Sequence, residues 1–242
     1  MKNVAVIFAG GVGARMNSKD AKPKQFLMVH GKPIIVHTIE IFERSPEVDA
    51  VVVVCIESWI SYMEELLHTY QLTKVSKIVP GGETGQASIF HGLEAAEILL
   101  GGDNGIVLIH DGVRPFINQQ IIADNIESVR HHGSAITCSR ATETFVITDE
   151  KGEVVSIPSR DHSRIAKAPQ SFYLKDILAV HRQALADGVT NAIDSCTLMN
   201  QYGKKLAVVM GPVENIKITT PEDFMMARAL LDAIENQQID RI

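Results

Sequence analysis

"VDAVVVVCI", residues 48–56, is a nearly unbroken apolar run rich in β-branched side chains. A strand with one face in water alternates apolar and polar residues, whereas a run apolar at almost every position suits a strand covered on both faces. The flanking stretches agree. "VAVIF" (4–8) reads as a first strand, and "KPIIVHTIEIFERS" (32–45) places Ile34, Ile35, Thr38, Ile39 and Phe42 at helical spacing. Downstream, 59–70 reads as a helix, 75–79 as a strand, 86–100 as a helix, "GIVLIHD" (105–111) as a strand, 119–131 as a helix and "SAITCSRA" (134–141) as a strand. This alternation predicts an α/β fold: a Rossmann-like, mostly parallel sheet flanked by helices. Ligands in such sheets bind outside the carboxyl ends of the strands, where the loop after residue 8 and "HDGVRP" (110–115) both fall.

The pattern changes after about residue 140. "TETFVITDEKGEVVSIPSR" (142–160) alternates around Asp149-Glu150-Lys151-Gly152, a hairpin signature. A lone two-stranded ribbon is marginal, so this protruding arm packs either against a second copy of the chain or back onto its own domain. After it, 174–187 and 194–202 read as helices, while "LAVVMG" (206–211) and "NIKIT" (215–219) read as strands. Thr220-Pro221-Glu222-Asp223 opens a final helix with an N-cap residue, a first-turn proline and two acids favoured by the helix dipole. With no repeat, linker or low-complexity segment, residues 1–242 read as one domain with the arm, 142–160, inside it.

The 242 residues are 45% hydrophobic, enough to bury a sizeable core, and carry a formal net charge of -6. An acidic balance argues against non-specific nucleic-acid binding and makes any anion site local. Cys55, Cys138 and Cys196 are odd in number, far apart and without metal-ligand spacing, so they read as reduced thiols of a cytoplasmic protein. Neither a signal peptide nor an apolar run near the roughly 20 residues of a membrane span is visible.

Three readings compete for "AGGVGARM" (9–16). A dehydrogenase-type G-x-G-x-x-G counted from Gly11 needs a third glycine where Met16 stands, and an acid about 20 residues on, near His30. A Walker A loop needs G-K-[ST], which Pro23-Lys24-Gln25 does not supply. The third is a loop wrapping a nucleoside triphosphate, with Gly10, Gly11 and Gly13 allowing close approach and Arg15 and Lys24 neutralising phosphates. Arg15 alone could equally be a surface residue. "KPKQFL" (22–27) favours the third reading, because Pro23 stiffens the segment that carries Lys24.

These blocks, together with "GKPIIVHTIEIF", "GGETGQASIFHGL", "IHDGVRPF", "ATETFV", "PSRDHSRIAKAPQSF", "AIDSCTLM" and "ENIKITTPEDF", resemble in order the cytidylyltransferases that make CDP-polyols. That family includes enzymes acting on 2-C-methyl-erythritol 4-phosphate and on ribitol 5-phosphate. The resemblance spans nearly the whole chain and implies a nucleotide-diphospho-sugar transferase type of fold. It implies attack of a polyol phosphate oxygen on the α-phosphorus of CTP. A phosphate monoester is already largely ionised at neutral pH (second pKa about 6), so the reaction calls for positioning and charge neutralisation, not for a general base.

By the same resemblance Lys24 and Lys217 flank the α-phosphate and Arg15 holds the β- and γ-phosphates as a planar fork. Ala9, Gly10, Gly11, Gly13, Gly82, Gly85 and Ser88 surround the nucleotide, although Ser88 could instead cap a helix. Asp111 assists the ribose or a divalent cation, with Mg²⁺ held mainly by the triphosphate. Arg114, Thr144, Arg160 and Asp194 serve the polyol phosphate, Thr144 and Arg160 from a neighbouring subunit, which makes a homodimer through the arm the expected assembly. Read from the residues alone, Asp194 could be a helix N-cap and Lys217 could point to solvent from an alternating strand. His110 reads as structural.

The acceptor is harder to read. Val113, Phe116 and Cys196 match the pattern of the ribitol phosphate enzymes, whereas Gly112 and Ser195 match neither group and "SRDHSR" keeps the Arg and Asp of the methylerythritol group. Ribitol 5-phosphate is the preferred reading and methylerythritol phosphate the alternative. Two other classes compare less well: a hexose-1-phosphate nucleotidylyltransferase needs a longer chain, and a non-catalytic CTP-binding protein need not keep both lysines.

Overall fold

A computed structural model describes residues 1–11 and 22–236. In chain order the elements are β1 (Asn3–Ala9), β2 (Met28–Val29), β3 (Lys32–Pro33), α1 (Ile34–Glu43), β4 (Ala50–Cys55), α2 (Ile60–Thr69), β5 (Val75–Pro80), α3 (Gly85–Leu99), β6 (Ile106–Asp111), α4 (Gln119–His132), β7 (Ser134–Arg140), β8 (Ile147–Thr148), β9 (Val154–Ser156), β10 (Arg164–Tyr173), α5 (Leu174–Ala186), α6 (Ser195–Gln201), β11 (Val208–Met210) and α7 (Pro221–Glu235). Seven strands form one sheet in the order β11, β7, β10, β6, β1, β4, β5. β6, β1, β4 and β5 pair in parallel, as do β7 and β11, while β10 runs antiparallel to both its neighbours.

The period of two in the central strands builds two cores. Ala5, Ile7, Val51, Val53, Ile106 and Leu108 face Ile35 and Ile39 of α1, Met63 of α2 and Ile122 and Ile126 of α4. Val4, Val6, Val52, Val54, Val107 and Ile109 face Ile89 and Leu93 of α3, Ile177 and Leu178 of α5 and Leu198 of α6. That is why residues 51–54 are apolar at every position: each side chain meets one layer of helices or the other. α7 closes a third cluster, with Ala227 beside Val29, Ile34, Val113, Phe116 and Ile218. It opens with the capping box the sequence announces: Thr220 accepts from the Asp223 amide, and the Asp223 carboxylate accepts from the Thr220 amide.

One expectation needs correction. "NIKIT" is not a strand. Residues 215–219 are irregular chain with no ladder partner, and the Ile218 amide donates to the Val113 carbonyl. Ile216 and Ile218 pack into the third cluster without entering the sheet. The hairpin in 142–160 forms, with Asp149 Oδ1 accepting from the Lys151 and Glu153 amides. It does not fold back onto its own domain: Val146, Ile147, Val154, Val155 and Ile157 are each 50–62% exposed within one chain. Cys55, Cys138 and Cys196 are all free. Among the described residues no helix is long and apolar enough to cross a membrane.

Candidate active site

Much of what surrounds the site hangs from the carboxyl edge of the parallel strands. β1 ends at Ala9 and turns through Gly10 and Gly11; Gly13 and Arg15 lie outside the described residues. Residues 22–27 return to this edge. Gln25 donates from Nε2 to the Ala9 carbonyl at 2.6 Å, and Phe26 stacks on Trp59 with ring centroids 5.0 Å apart. Lys24 is therefore carried by a buried anchor on each side, Pro23 and Gln25, beside the end of β1.

The second glycine turn, 81–85, is held against the first. Thr84 caps α3, accepting from the Ala87 amide. Ser88 is thus not the cap. Its buried hydroxyl accepts from the Gly82 amide at 3.0 Å and donates to the Thr84 carbonyl at 3.0 Å. Gly82 packs so tightly on α3 that a Cβ there would stand 2.5 Å from Ala87 Cβ. Gln86 extends the clamp, donating to the Val189 carbonyl and accepting from the Ala192 amide, and so brings the residue 189–192 loop to the mouth of the site.

Asp111 is the last residue of β6 and lies at the centre. Its side chain is 8% exposed, with Oδ1 2.5 Å from Lys217 Nζ and Oδ2 3.0 Å from Arg114 Nε. Burial alone would raise its pKa, but the charges of Lys217 and Arg114 outweigh it and hold the carboxyl at about 2. Arg114 also donates to the Asn215 carbonyl at 2.9 Å, and Asn215 Nδ2 donates to the Ala168 carbonyl at 2.7 Å. Asn215 therefore ties the Lys217 segment to β10. His110 is fully buried, its Nε2 3.0 Å from the Arg114 carbonyl, and burial holds its pKa down to about 4, so at neutral pH it is an uncharged support.

Gly112, which matches neither pattern, stands in a closely packed position. Its amide donates to the Phe8 carbonyl and its carbonyl accepts from buried Thr38. A Cβ there would meet Ile35 Cδ1 at 2.5 Å and Ala9 Cβ at 3.0 Å.

A cavity of about 260 Å³ opens over this cluster, lined by Phe8, Gly85, Asp111, Arg114, Lys167, Gln170, Asp194 and Lys217 among others. Asp194 both lines it and caps α6: Oδ1 accepts from the Thr197 amide at 2.8 Å and Oδ2 from Gln170 at 3.1 Å. These bonds outweigh burial and leave its pKa below the ordinary carboxylate value. The Cys196 thiol lies 3.3 Å from the same carboxylate, while Val113 and Phe116 are buried in the third cluster. Two of the three residues that hinted at the acceptor therefore lie in the core and not on the cavity wall.

The structure thus brings together Asp111, Arg114, Asp194 and Lys217. It does not bring Thr144 and Arg160 to this cavity within one chain; both are exposed at the base of the arm, where Arg160 reaches the Thr142 carbonyl. Sequence reasoning assigned no role to Lys167, Gln170 or Asn215, although all three stand in stretches that carry the resemblance. Among the described residues no cluster of three His, Cys, Asp or Glu could hold a metal.

The family model described as IspD: 2-C-methyl-D-erythritol 4-phosphate cytidylyltransferase matches residues 3–233. The chain belongs to this family. It is a cytidylyltransferase, with the Rossmann-like sheet that its sequence predicts. A ribitol-5-phosphate cytidylyltransferase of Streptococcus agalactiae is 59% identical to it over 239 residues, 99% of each chain. A 2-C-methyl-D-erythritol 4-phosphate cytidylyltransferase of Clostridium botulinum is 36% identical over 233 residues, 96% of this chain and 99% of the other. The crystal structure of 4-diphosphocytidyl-2C-methyl-D-erythritol synthase from Anaerococcus prevotii superposes with a TM-score of 0.82 at 30% identity, covering 96% of each chain.

Proposed function

We propose that this cytidylyltransferase transfers the cytidylyl group of CTP to ribitol 5-phosphate, releasing pyrophosphate. The observation that carries the choice of acceptor is the gap between 59% identity to a relative named for ribitol phosphate and 36% to one named for methylerythritol phosphate. A phosphate oxygen of the acceptor attacks the α-phosphorus, forming one P–O bond while the bond to pyrophosphate breaks. The monoester is already ionised, so no proton has to be removed from it. Lys217, fixed by Asp111, neutralises charge on the reacting phosphoryl group together with Lys24, and Arg15 grips the outer phosphates. Ala9, Gly10, Gly11, Gly13, Gly82 and Gly85 form the nucleotide's backbone cradle, which Ser88 holds in shape. Arg114 and Asp194 face the acceptor.

Both Asp111 oxygens are committed to cations, and Asp194, which also lines the cavity, is engaged by the Thr197 amide and Gln170. This donor set fits Mg²⁺ bound chiefly by the triphosphate. Such an ion would spread phosphate charge. The exposed apolar arm fits a homodimer in which Thr144 and Arg160 complete the neighbour's acceptor site. One catalytic domain over 1–242 and a reducing, cytoplasmic setting for three free thiols complete the reading.

The test is pyrophosphate release from CTP and Mg²⁺ with ribitol 5-phosphate and 2-C-methyl-erythritol 4-phosphate in parallel. Strong preference for ribitol 5-phosphate is expected. Preference for the methylerythritol substrate would overturn the choice of acceptor, and the family model's own description makes that the second reading.

A further inference from the structure

The cavity over Asp111 contains a cation to which neither the motifs nor the resemblance gave a task. Lys167 sits on β10, where the ladder to β7 breaks between Ala166 and Gln170. β10 runs against β6 with Gln170 opposite Ile109, so the residues preceding Gln170 run on past His110 and Asp111, to the edge where the site lies. In the sheet order β10, β6, β1, Lys167 is on the opposite side of Asp111 from the glycine turn after β1.

Lys167 Nζ donates to the Val213 carbonyl at 2.8 Å, which uses one of its three donors. The two carboxylates of the cavity are engaged elsewhere: Asp111 with Lys217 and Arg114, Asp194 with the Thr197 amide and Gln170. Burial and then the neighbouring Arg114 charge hold the Lys167 pKa below its ordinary value, against the pull of Glu214. A partly desolvated cation with uncommitted donors, placed across the site from the nucleotide turns, matches the one strongly charged group of the acceptor.

We propose that Lys167 binds the phosphate monoester of the polyol phosphate, as an acceptor-binding residue from the same chain as Lys217. It makes and breaks no bond in the reaction. The inference rests on reading this cavity as the site of cytidylyl transfer. Held by Lys167 on one side and facing Lys217 on the other, the acceptor phosphate is kept from rotating away from the α-phosphorus.

The test is steady-state pyrophosphate release with either substrate varied. Lys167→Met is expected to raise KM for ribitol 5-phosphate about tenfold or more, the loss of one charge-assisted contact. KM for CTP should change less than about twofold, and Lys167→Arg should recover most of the loss. Inhibition by inorganic phosphate, competitive with ribitol 5-phosphate, should weaken in parallel in the Met variant. Lys167→Gln, read by the same ratio of KM values, replaces the Met variant if that chain folds poorly. An unchanged KM for ribitol 5-phosphate would overturn the proposal, and so would an equal or larger rise in KM for CTP. Wild-type enzyme that releases no pyrophosphate with any polyol phosphate would instead sink the underlying reading, before any variant is made.

Discussion

Replacing Asp111 with Asn removes the charge that holds Lys217 and Arg114 without changing the size of the side chain. The folded-state pKa of about 2, against an ordinary aspartate value of 3.8, corresponds to about 2 kcal/mol of stability at neutral pH. Because the folded value is the depressed one, this contribution is complete above roughly pH 4. It is lost as pH falls through about 2. Asp111→Asn should therefore lower the unfolding free energy by about 2 kcal/mol at pH 7, and by less at pH 3. Urea titrations of wild type, Asp111→Asn, Lys217→Met and the double variant form a cycle that isolates the pair. Lys217 is 41% exposed, so the coupling should lie near 1–2 kcal/mol, between about 0.2–1 for exposed pairs and about 3–5 for buried ones. Lys217→Met should also stay folded while losing about a hundredfold or more in turnover. Coupling within about 0.3 kcal/mol of zero would refute the claim that Asp111 holds Lys217 in place. An Asp111→Asn penalty equal at pH 7 and pH 3 would do the same.

Gly112→Ser should destabilise the fold by about 1–3 kcal/mol in the same titrations, because the new side chain meets Ile35 and Ala9. Val155→Asp in the arm should leave the far-ultraviolet spectrum unchanged and yield monomers in sedimentation velocity at concentrations where the wild type is dimeric; a monomeric wild type would refute the arm-mediated dimer. Burial pushes the Cys55 thiol up to about 11 and, with the Asp194 charge, that of Cys196 up to about 12. Native enzyme at pH 8 should therefore react with a thiol reagent at least about a hundredfold more slowly than urea-unfolded enzyme, and rapid labelling would contradict that environment.

Most of the parallel half of the sheet was legible because burial on two faces leaves a plain mark. Val51, Val52, Val53 and Val54 admit few other readings, and the final helix announced itself through Thr220, Pro221 and Asp223. β10 was not legible. Arg164, Lys167, Pro169 and Gln170 give no clean period, since the strand serves the sheet at one end and the site at the other. "NIKIT" misled for a related reason: its alternation reflects Ile216 and Ile218 packing beside Val113 and Phe116, and a cluster can impose a period of two without a ladder. Asp111, Arg114 and Lys217 could be picked from their blocks, but not the ion pair of Asp111 with Lys217, which joins segments far apart in the chain. Gln170 and Asn215 were overlooked because an amide shows its importance only through the partners that folding supplies.

The reversed direction of β10 has an evolutionary consequence. The nucleotide turns follow β1 and precede α3, whereas Lys167 and Gln170 belong to a strand on the far side of β6. On the proposed assignment, donor and acceptor recognition are written largely on separate pieces of chain that converge on the cavity over Asp111. If Lys167 holds the acceptor as proposed, substitutions in residues 164–170 would retune the accepted polyol and leave the machinery for CTP intact, so a lineage could change its product without first giving up its energy source.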